Sequence, residues 1–209
     1  IFGRCSLIML YVFLVLALLA SCALTWAASG FATLHALWQV PVFFAGSFLA
    51  LVLLFLLVVL ISCLFVDPKK LLEKPSGYFR FLLNEFCRLA LALGGVHVNV
   101  TGLEKVPRDS RFLLVCNHRS SFDPLATMWA LRDYNVSFIS KPSNLKIPIV
   151  GKLAWGAGYL PINREDNREA LKTILQAAEY LKNGLCSMCI YPEGTRSHGT
   201  NMLPFHSGS

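Results

Sequence analysis

Hydrophobic positions are distributed in two regimes along this chain. Between Cys5 and Val66 there is no Asp, Glu, Lys or Arg, and two long apolar runs, Cys5–Ala28 and Pro41–Val66, fill most of that interval. At about 1.5 Å of rise per residue, each run is long enough as a helix to cross a hydrocarbon core of about 30 Å. The joint Ser29–Val40 carries Gly30, His35, Trp38 and Gln39, which suit an interfacial turn. The pattern predicts a helical hairpin over residues 1–66, with spans at about 5–28 and 41–66.

After Val66 the periodicity changes. Asp67–Ser76 reads as a basic, proline-bounded linker, and Gly77–Leu93 as a helix stopped by Gly94-Gly95. Arg80 and Arg88 lie among its apolar positions, so this helix can rest on a bilayer surface or pack on a core. Residues 67–95 therefore form a linker and interfacial helix ahead of a domain at 96–209. His97-Val98-Asn99-Val100 alternates like a strand. Arg111–Cys116 is short and apolar, with the length of a buried strand. Asp123-Pro124 reads as an N-cap followed by proline at the first helical position, opening a helix to about Arg132. Val136–Ser140 and Tyr159–Ile162 are further short strands. Asp166–Asn183 is the clearest helix, with Ala170, Leu171, Ile174, Leu175, Ala178 and Leu181 on one face and Gly184 after its end. Leu185–Tyr191 is a buried-type strand. Such alternation predicts an α/β domain, a largely parallel or mixed sheet flanked by helices, with its active site in the loops at strand ends.

Charge refines this picture. The chain has 19 Lys+Arg against 12 Asp+Glu, and every one of these except Arg4 lies beyond Val66. Arg4 before the first run, and Lys69, Lys70 and Lys74 after the second, place both ends and the domain on the cytosolic side by the positive-inside rule. A competing reading takes Leu19-Ala20-Ser21-Cys22 as a lipoprotein-type cleavage site. A basic domain tethered to a bilayer suits anionic headgroups and anionic substrates. Nucleic acid is not an expected partner, since no zinc-finger, helix-turn-helix or aromatic-basic signature accompanies the charge. The seven cysteines, Cys5, Cys22, Cys63, Cys87, Cys116, Cys186 and Cys189, are scattered in apolar segments and read as reduced packing residues. Cys186 and Cys189 form a lone CxxC within a strand, where positions three apart face opposite sides. The chain opens with Ile1 rather than Met, so a segment ahead of it is expected.

Two clusters carry the chemistry. Asn117-His118-Arg119-Ser120-Ser121-Phe122-Asp123 sets an imidazole near a carboxylate able to fix its tautomer. No Gly-x-Ser-x-Gly elbow supplies a nucleophile, so the pair makes sense where the substrate brings its own hydroxyl and His118 deprotonates it. Read alone, the same spacing also suits a loop histidine beside a helix-capping aspartate, or a metal site completed by His198 and His206. The second cluster is Pro192-Glu193-Gly194-Thr195-Arg196. Its glycine lets backbone approach a ligand, and its guanidinium can grip a phosphate through two hydrogen bonds. Arg164, ending Gly158–Arg164, and Lys141, ending the Val136–Ser140 strand, are further candidate cations. Solvated surface charges paired with Glu165 or Asp166 are the simpler alternative for the arginines. A base beside an anion clamp, behind membrane-length apolar runs, points to chemistry on a phospholipid precursor.

On these motifs the chain closely resembles the glycerolipid acyltransferases, particularly the lysophosphatidate (1-acyl-glycerol-3-phosphate) acyltransferases. Three blocks occur in order: N-H-x-x-x-x-D at Asn117–Asp123, G-x-x-x-(I/V)-x-R at Gly158–Arg164, and (F/I)-x-P-E-G-T-R at Ile190–Arg196. Ser140-Lys141-Pro142, Lys146-Ile147-Pro148 and Ser197-His198-Gly199 are similar to the family too. The resemblance implies that His118 is the general base, oriented by Asp123, and that Arg164, Glu193, Gly194, Thr195 and Arg196 bind the glycerol phosphate; Asn117 and Lys141 are further candidate substrate-binding residues. It implies transfer of a fatty acyl group from acyl-CoA or acyl-carrier protein to lysophosphatidate, without metal or other cofactor, at a phospholipid bilayer. A bacterial inner membrane fits the compact domain better than the endoplasmic reticulum. Glycerol-3-phosphate or another lysophospholipid as acceptor, a silent lipid-binding protein and a metal-dependent hydrolase are the rivals. Phe205-His206-Ser207-Gly208 stands where the family has Phe-Lys-Lys-Gly, and the family's fourth block, an apolar strand with proline, is expected beyond Ser209.

Overall fold

The computed structural model describes residues 8–31, 34–68, 70, 72–197, 201 and 203–205. Arg4, Cys5, Lys69, His198, His206, Ser207 and Gly208 lie outside the described residues. The chain divides into two compact units, Ser6–Phe65 and a second that includes Val66–Ser209.

The first unit is an antiparallel pair of helices, α1 (Ile8–Ser29) and α2 (Ala36–Leu64). With 22 and 29 residues, they are long and apolar enough to cross a membrane. Most of their large side chains, such as Leu19, Leu53 and Leu57, are exposed. Ala17, Ser21 and Thr25 repeat every four residues on α1 and are fully buried, a stripe of small side chains that lets backbones approach closely. Hydroxyls fasten the pair: Ser21 donates to the Val40 carbonyl at 2.7 Å and Ser29 to Gln39 Oε1 at 2.8 Å. α2 begins five residues before Pro41, which the sequence placed at the start of the span.

The second unit is a parallel α/β layer structure. Its elements are α3 (Gly77–Leu93), β1 (Leu113–Val115), α4 (Asp123–Ala130), β2 (Val136–Ser140), α5 (Pro142–Leu145), α6 (Val150–Gly156), β3 (Leu160–Pro161), α7 (Asn167–Lys182) and β4 (Ser187–Ile190). The sheet order is β1-β4-β2-β3, and every pairing is parallel, with Leu114 opposite Cys189 and Phe138 opposite Cys189 from the other side. β4 inserts between β1 and β2, and with every pairing parallel all four strands release their following loops at the same, C-terminal end of the sheet. β2 and β4 are interior and buried along nearly their whole length, whereas β1 is an edge strand. Leu113 and Val115 are 54% and 52% exposed, so this apolar run is not the buried strand its composition indicated.

One sheet face packs on α7 through Ile139, Leu160, Ala177, Tyr180, Met188 and Ile190. Asp166 caps α7, accepting from Arg168 N and Glu169 N at 2.9 and 3.2 Å, an arrangement worth about 0.5–2 kcal/mol. The buried face is rotated from the leucine-based expectation: Ala170, Ile174 and Leu181 pack against the core as expected and Ala177 and Tyr180 are buried, while Leu171 and Leu175 stand 57% exposed. Tyr180 decides the rotation, because its ring offers more area than a leucine and its hydroxyl donates to the Leu72 carbonyl at 2.6 Å. On the other side α3 packs against α4 and α6. It ends as its Gly94-Gly95 pair indicated: Gly95 N–H bonds the Ala92 carbonyl at 3.2 Å and Val96 N–H the Leu91 carbonyl at 2.9 Å. Residues 97–100 keep their alternating exposure but join no ladder, so the predicted strand there is absent. Cys186 belongs to the α7-side core, and Cys189 Sγ lies 3.9 Å from Cys116 Sγ, so the CxxC residues part to opposite faces.

Candidate active site

β1 ends at Val115 and hands the chain to a loop whose polar groups are turned inward on one carboxylate. Asp123 Oδ2 accepts from His118 Nδ1 at 3.0 Å, from Arg119 N at 2.6 Å and from Ser120 N at 2.7 Å. Asp123 is therefore not the N-cap expected from the Asp-Pro pair. It is the first residue of α4, with no side-chain cap at Phe122, because its carboxylate finds partners in the preceding turn. Burial pushes this carboxyl upward, but the Ser120 N–H, the His118 ring and the Arg119 N–H outweigh it and hold Asp123 below the ordinary carboxylate range. An ionised carboxylate only accepts, so Nδ1 carries the hydrogen, and in the neutral ring the lone pair is then on Nε2.

The loop after β4 grips the same histidine by its backbone. Glu193 is 1% exposed, and its carboxylate accepts from His118 N and from Leu203 N, each at 2.9 Å. Those two backbone donors, Leu203 first, hold Glu193 below its usual value. Ser197 N donates to the His118 carbonyl at 2.8 Å. The turn depends on Gly194, whose φ of 70° is strained for any side chain. Its carbonyl accepts from Arg164 Nη1, which ties the end of β3 to the β4 loop. Burial lowers Arg164 from the usual arginine value. Arg196 Nη1 donates to Ser121 Oγ at 2.6 Å, and neither arginine joins an ion pair among the described residues, so pairing with Glu165 or Asp166 is not what positions them.

A cavity of about 470 Å³ opens over these loops. His118, Lys141, Arg164, Gly194, Thr195 and Arg196 line it, together with apolar side chains that include Leu125, Met128, Phe138, Leu145 and Tyr159. The structure thus brings an imidazole and three cations to one mouth backed by an apolar wall. Asn117, Asp123 and Glu193 lie outside the lining; Asn117 is exposed, and the other two reach the cavity only through His118. Glu193 was expected to bind substrate; it lies outside the cavity lining, and each of its oxygens accepts one backbone N–H, which ties the loop to His118 and Leu203. Sequence reasoning missed Ser121, Tyr191 and Thr127. Tyr191 packs its ring 4.8 Å from that of His118, and its hydroxyl lies 3.0 Å from Thr127 Oγ1. Only its place between a strand and Pro192 hinted at a role. Among the described residues no three His, Cys, Asp or Glu side chains gather as a metal site.

The model of the Acyltransferase family matches residues 97–209, which include both loops and the cavity's cations. The chain belongs to the Acyltransferase family. Curated relatives include a 1-acyl-sn-glycerol-3-phosphate acyltransferase of Borreliella burgdorferi, 32% identical over 62% of this chain and 51% of that protein. The enzyme of the same name in Chlamydomonas reinhardtii is 32% identical over 80% of this chain and 48% of that protein. The chain spans about half the length of these relatives. A solved structure, the 1-acyl-sn-glycerophosphate acyltransferase of Thermotoga maritima, superposes with a TM-score of 0.50 at 29% identity, covering 71% of this acyltransferase-family chain and 56% of that one.

Proposed function

We propose that the chain is a membrane-anchored O-acyltransferase that moves a fatty acyl group from a thioester to the free hydroxyl of lysophosphatidate, giving phosphatidate. The observation that carries this reading is the His118–Asp123 contact of 3.0 Å at a cavity whose other polar walls are Lys141, Arg164 and Arg196. The anionic headgroup sits among these cations and the acyl chain of the substrate along the apolar wall. His118 Nε2 takes the proton from the acceptor hydroxyl as its oxygen attacks the thioester carbonyl carbon. The tetrahedral adduct collapses with cleavage of the C–S bond, and the imidazolium returns the proton to the departing thiolate. Ester and free thiol are the products, with no acyl-enzyme, metal or other cofactor in the cycle. General-base assistance accounts for about 10²–10⁴-fold of the rate; positioning and charge stabilisation supply the remainder.

The donor is acyl-CoA or acyl-carrier protein. The α1–α2 pair serves as the anchor, and the positive flank at Lys70 and Lys74 supports a cytosolic site, in a bacterial inner membrane. The names of the relatives support lysophosphatidate over glycerol-3-phosphate as acceptor. The test is thiol release from acyl-CoA with lysophosphatidate present: His118→Ala should abolish it, and wild-type turnover in that variant would end the mechanism. An acceptor panel of lysophosphatidate, glycerol-3-phosphate and lysophosphatidylcholine then decides the substrate.

A further inference from the structure

A single hydrogen bond between His118 Nδ1 and Asp123 fixes the direction of one ring nitrogen, but it leaves the imidazole free to swing about that contact. Something must hold the ring plane. We propose that Tyr191 and Thr127 form a positioning pair that locks the plane of the His118 imidazole, an inference that rests on His118 acting as the base. Tyr191 directly follows β4, is 8% exposed, and lies with its ring centroid 4.8 Å from that of His118 at an interplanar angle of 41°. Its own orientation is set by the contact of 3.0 Å between its hydroxyl and Thr127 Oγ1.

Thr127 lies four residues after Asp123, so both face the same side of α4, one turn apart. One helix face thus constrains the imidazole twice: Asp123 acts on the ring edge directly, and Thr127 acts through the phenol, which packs against the ring at a tilt. Pro192 follows Tyr191 and restricts its backbone to extended conformations, which keeps the phenol from swinging out with the loop. Neither Tyr191 nor Thr127 donates to or accepts from the ring nitrogens, and Thr127 lies outside the cavity lining; Tyr191 lines the cavity beside His118, so a direct contact of its ring with substrate would show in KM, whereas positioning of His118 shows in kcat. A displacement of about 1 Å in a catalytic group can cost on the order of 100-fold in rate, so partial loss of this support should be visible in turnover.

The decisive comparison is among Thr127→Val, Thr127→Ser, Tyr191→Phe and the double variant Thr127→Val/Tyr191→Phe, as full chains in phospholipid vesicles with acyl-CoA and lysophosphatidate. Thr127→Val keeps the shape of the side chain and removes the hydroxyl; Thr127→Ser does the reverse. Each of Thr127→Val and Tyr191→Phe is expected to lower kcat by about 5–20-fold, with KM for both substrates within about twofold and only a small fall in Tm, which does not track the loss of kcat across the series. Since both changes cut the same contact, the double variant should fall no further than the worse single. Thr127→Ser should recover most of the rate lost in Thr127→Val. Wild-type kcat in Thr127→Val, multiplying losses in the double variant, or a Thr127→Ser as slow as Thr127→Val would each overturn the proposal. So would rate losses that follow Tm across the series, which indicate packing alone. Turnover surviving in His118→Ala instead removes the reading of His118 beneath it, so the two failures are distinct.

Discussion

The two ends of the cavity are built differently. At the imidazole end, polar groups are held largely by main chain: two backbone N–H groups join the His118 ring on Asp123 Oδ2, both Glu193 oxygens accept backbone N–H groups, and the peptide groups of His118 bond the β4 loop on both sides. At the cation end, Arg196 is steadied by a single serine hydroxyl, Arg164 by one carbonyl, and Lys141 stands exposed at the end of β2. Backbone donors cannot rotate away, whereas long cationic side chains can. One end is therefore set before substrate arrives, as the proposed base requires, and the other can adjust to the proposed anionic headgroup. Damage to the first end should appear in kcat, and damage to the second in KM.

Asp123→Asn should separate the two ends most sharply. An amide can present its NH₂ to His118 Nδ1, favouring the wrong tautomer, so kcat is expected to fall by at least about 100-fold with acceptor KM little changed. Steady-state kinetics with varied lysophosphatidate measures both. The same variant carries a stability signature. Because the folded carboxyl sits below its unfolded value, its contribution is fully present above about pH 3.9 and is lost as pH falls through the lower folded value. Acid unfolding followed by circular dichroism should therefore be less steep in Asp123→Asn than in the wild type. An equal slope would mean that the three hydrogen bonds do not favour the ionised form.

Glu193→Gln is the next largest. A glutamine side chain offers one acceptor and one donor group where two backbone donors, His118 N and Leu203 N, point inward. One of them loses its partner, at a cost of about 1–3 kcal/mol. A lower Tm and a fall in kcat are expected together, with acceptor KM nearly constant. A rise in acceptor KM with unchanged kcat would restore Glu193 to the substrate-binding end.

These first two residues also mark where the sequence was readable and where it was not. Both loops, their order and their meeting at one end of the sheet followed from short apolar runs ending in polar motifs, and β2 falls on Val136–Ser140 as its composition indicated. Local pattern fails where a competing partner is remote in sequence. Asp123 matches an N-cap by every nearby cue, yet its carboxylate is captured by the turn before it. Glu193 sits within a stretch that reads as ligand-binding, and its partners lie 75 and 10 residues away. Leucine spacing on α7 placed Leu171 and Leu175 inward, but one tyrosine with a distant carbonyl partner turned the helix. Residues 97–100 show that alternation records which face meets solvent and not whether a neighbouring strand exists.

Arg196→Ala tests the adjustable end. Loss of one charge-assisted contact to a phosphate is worth about 1.5–3 kcal/mol, so acceptor KM should rise by roughly 10–100-fold while kcat stays within a few-fold. The effect should shrink with an uncharged lysolipid, in which the guanidinium has no phosphate to grip. A kcat defect of the size seen in Asp123→Asn would erase the division between the two ends.

Ser121→Ala should give the smallest change, and it asks how loosely the cation end is held. Ser121 lies inside the imidazole loop, between His118 and Asp123, but its hydroxyl serves Arg196 at 2.6 Å. Removing that hydroxyl leaves the three bonds to Asp123 untouched and frees one guanidinium to sample other rotamers. The donor is a charged guanidinium but the bond is exposed to solvent, so a loss of about 1 kcal/mol corresponds to roughly a fivefold rise in acceptor KM, with kcat unchanged. Combined with Arg196→Ala, the serine change should add nothing further, because its partner is already gone. If instead Ser121→Ala lowers kcat, the serine supports the base loop, and the boundary between a fixed end and an adjustable end must be redrawn on the other side of residue 121.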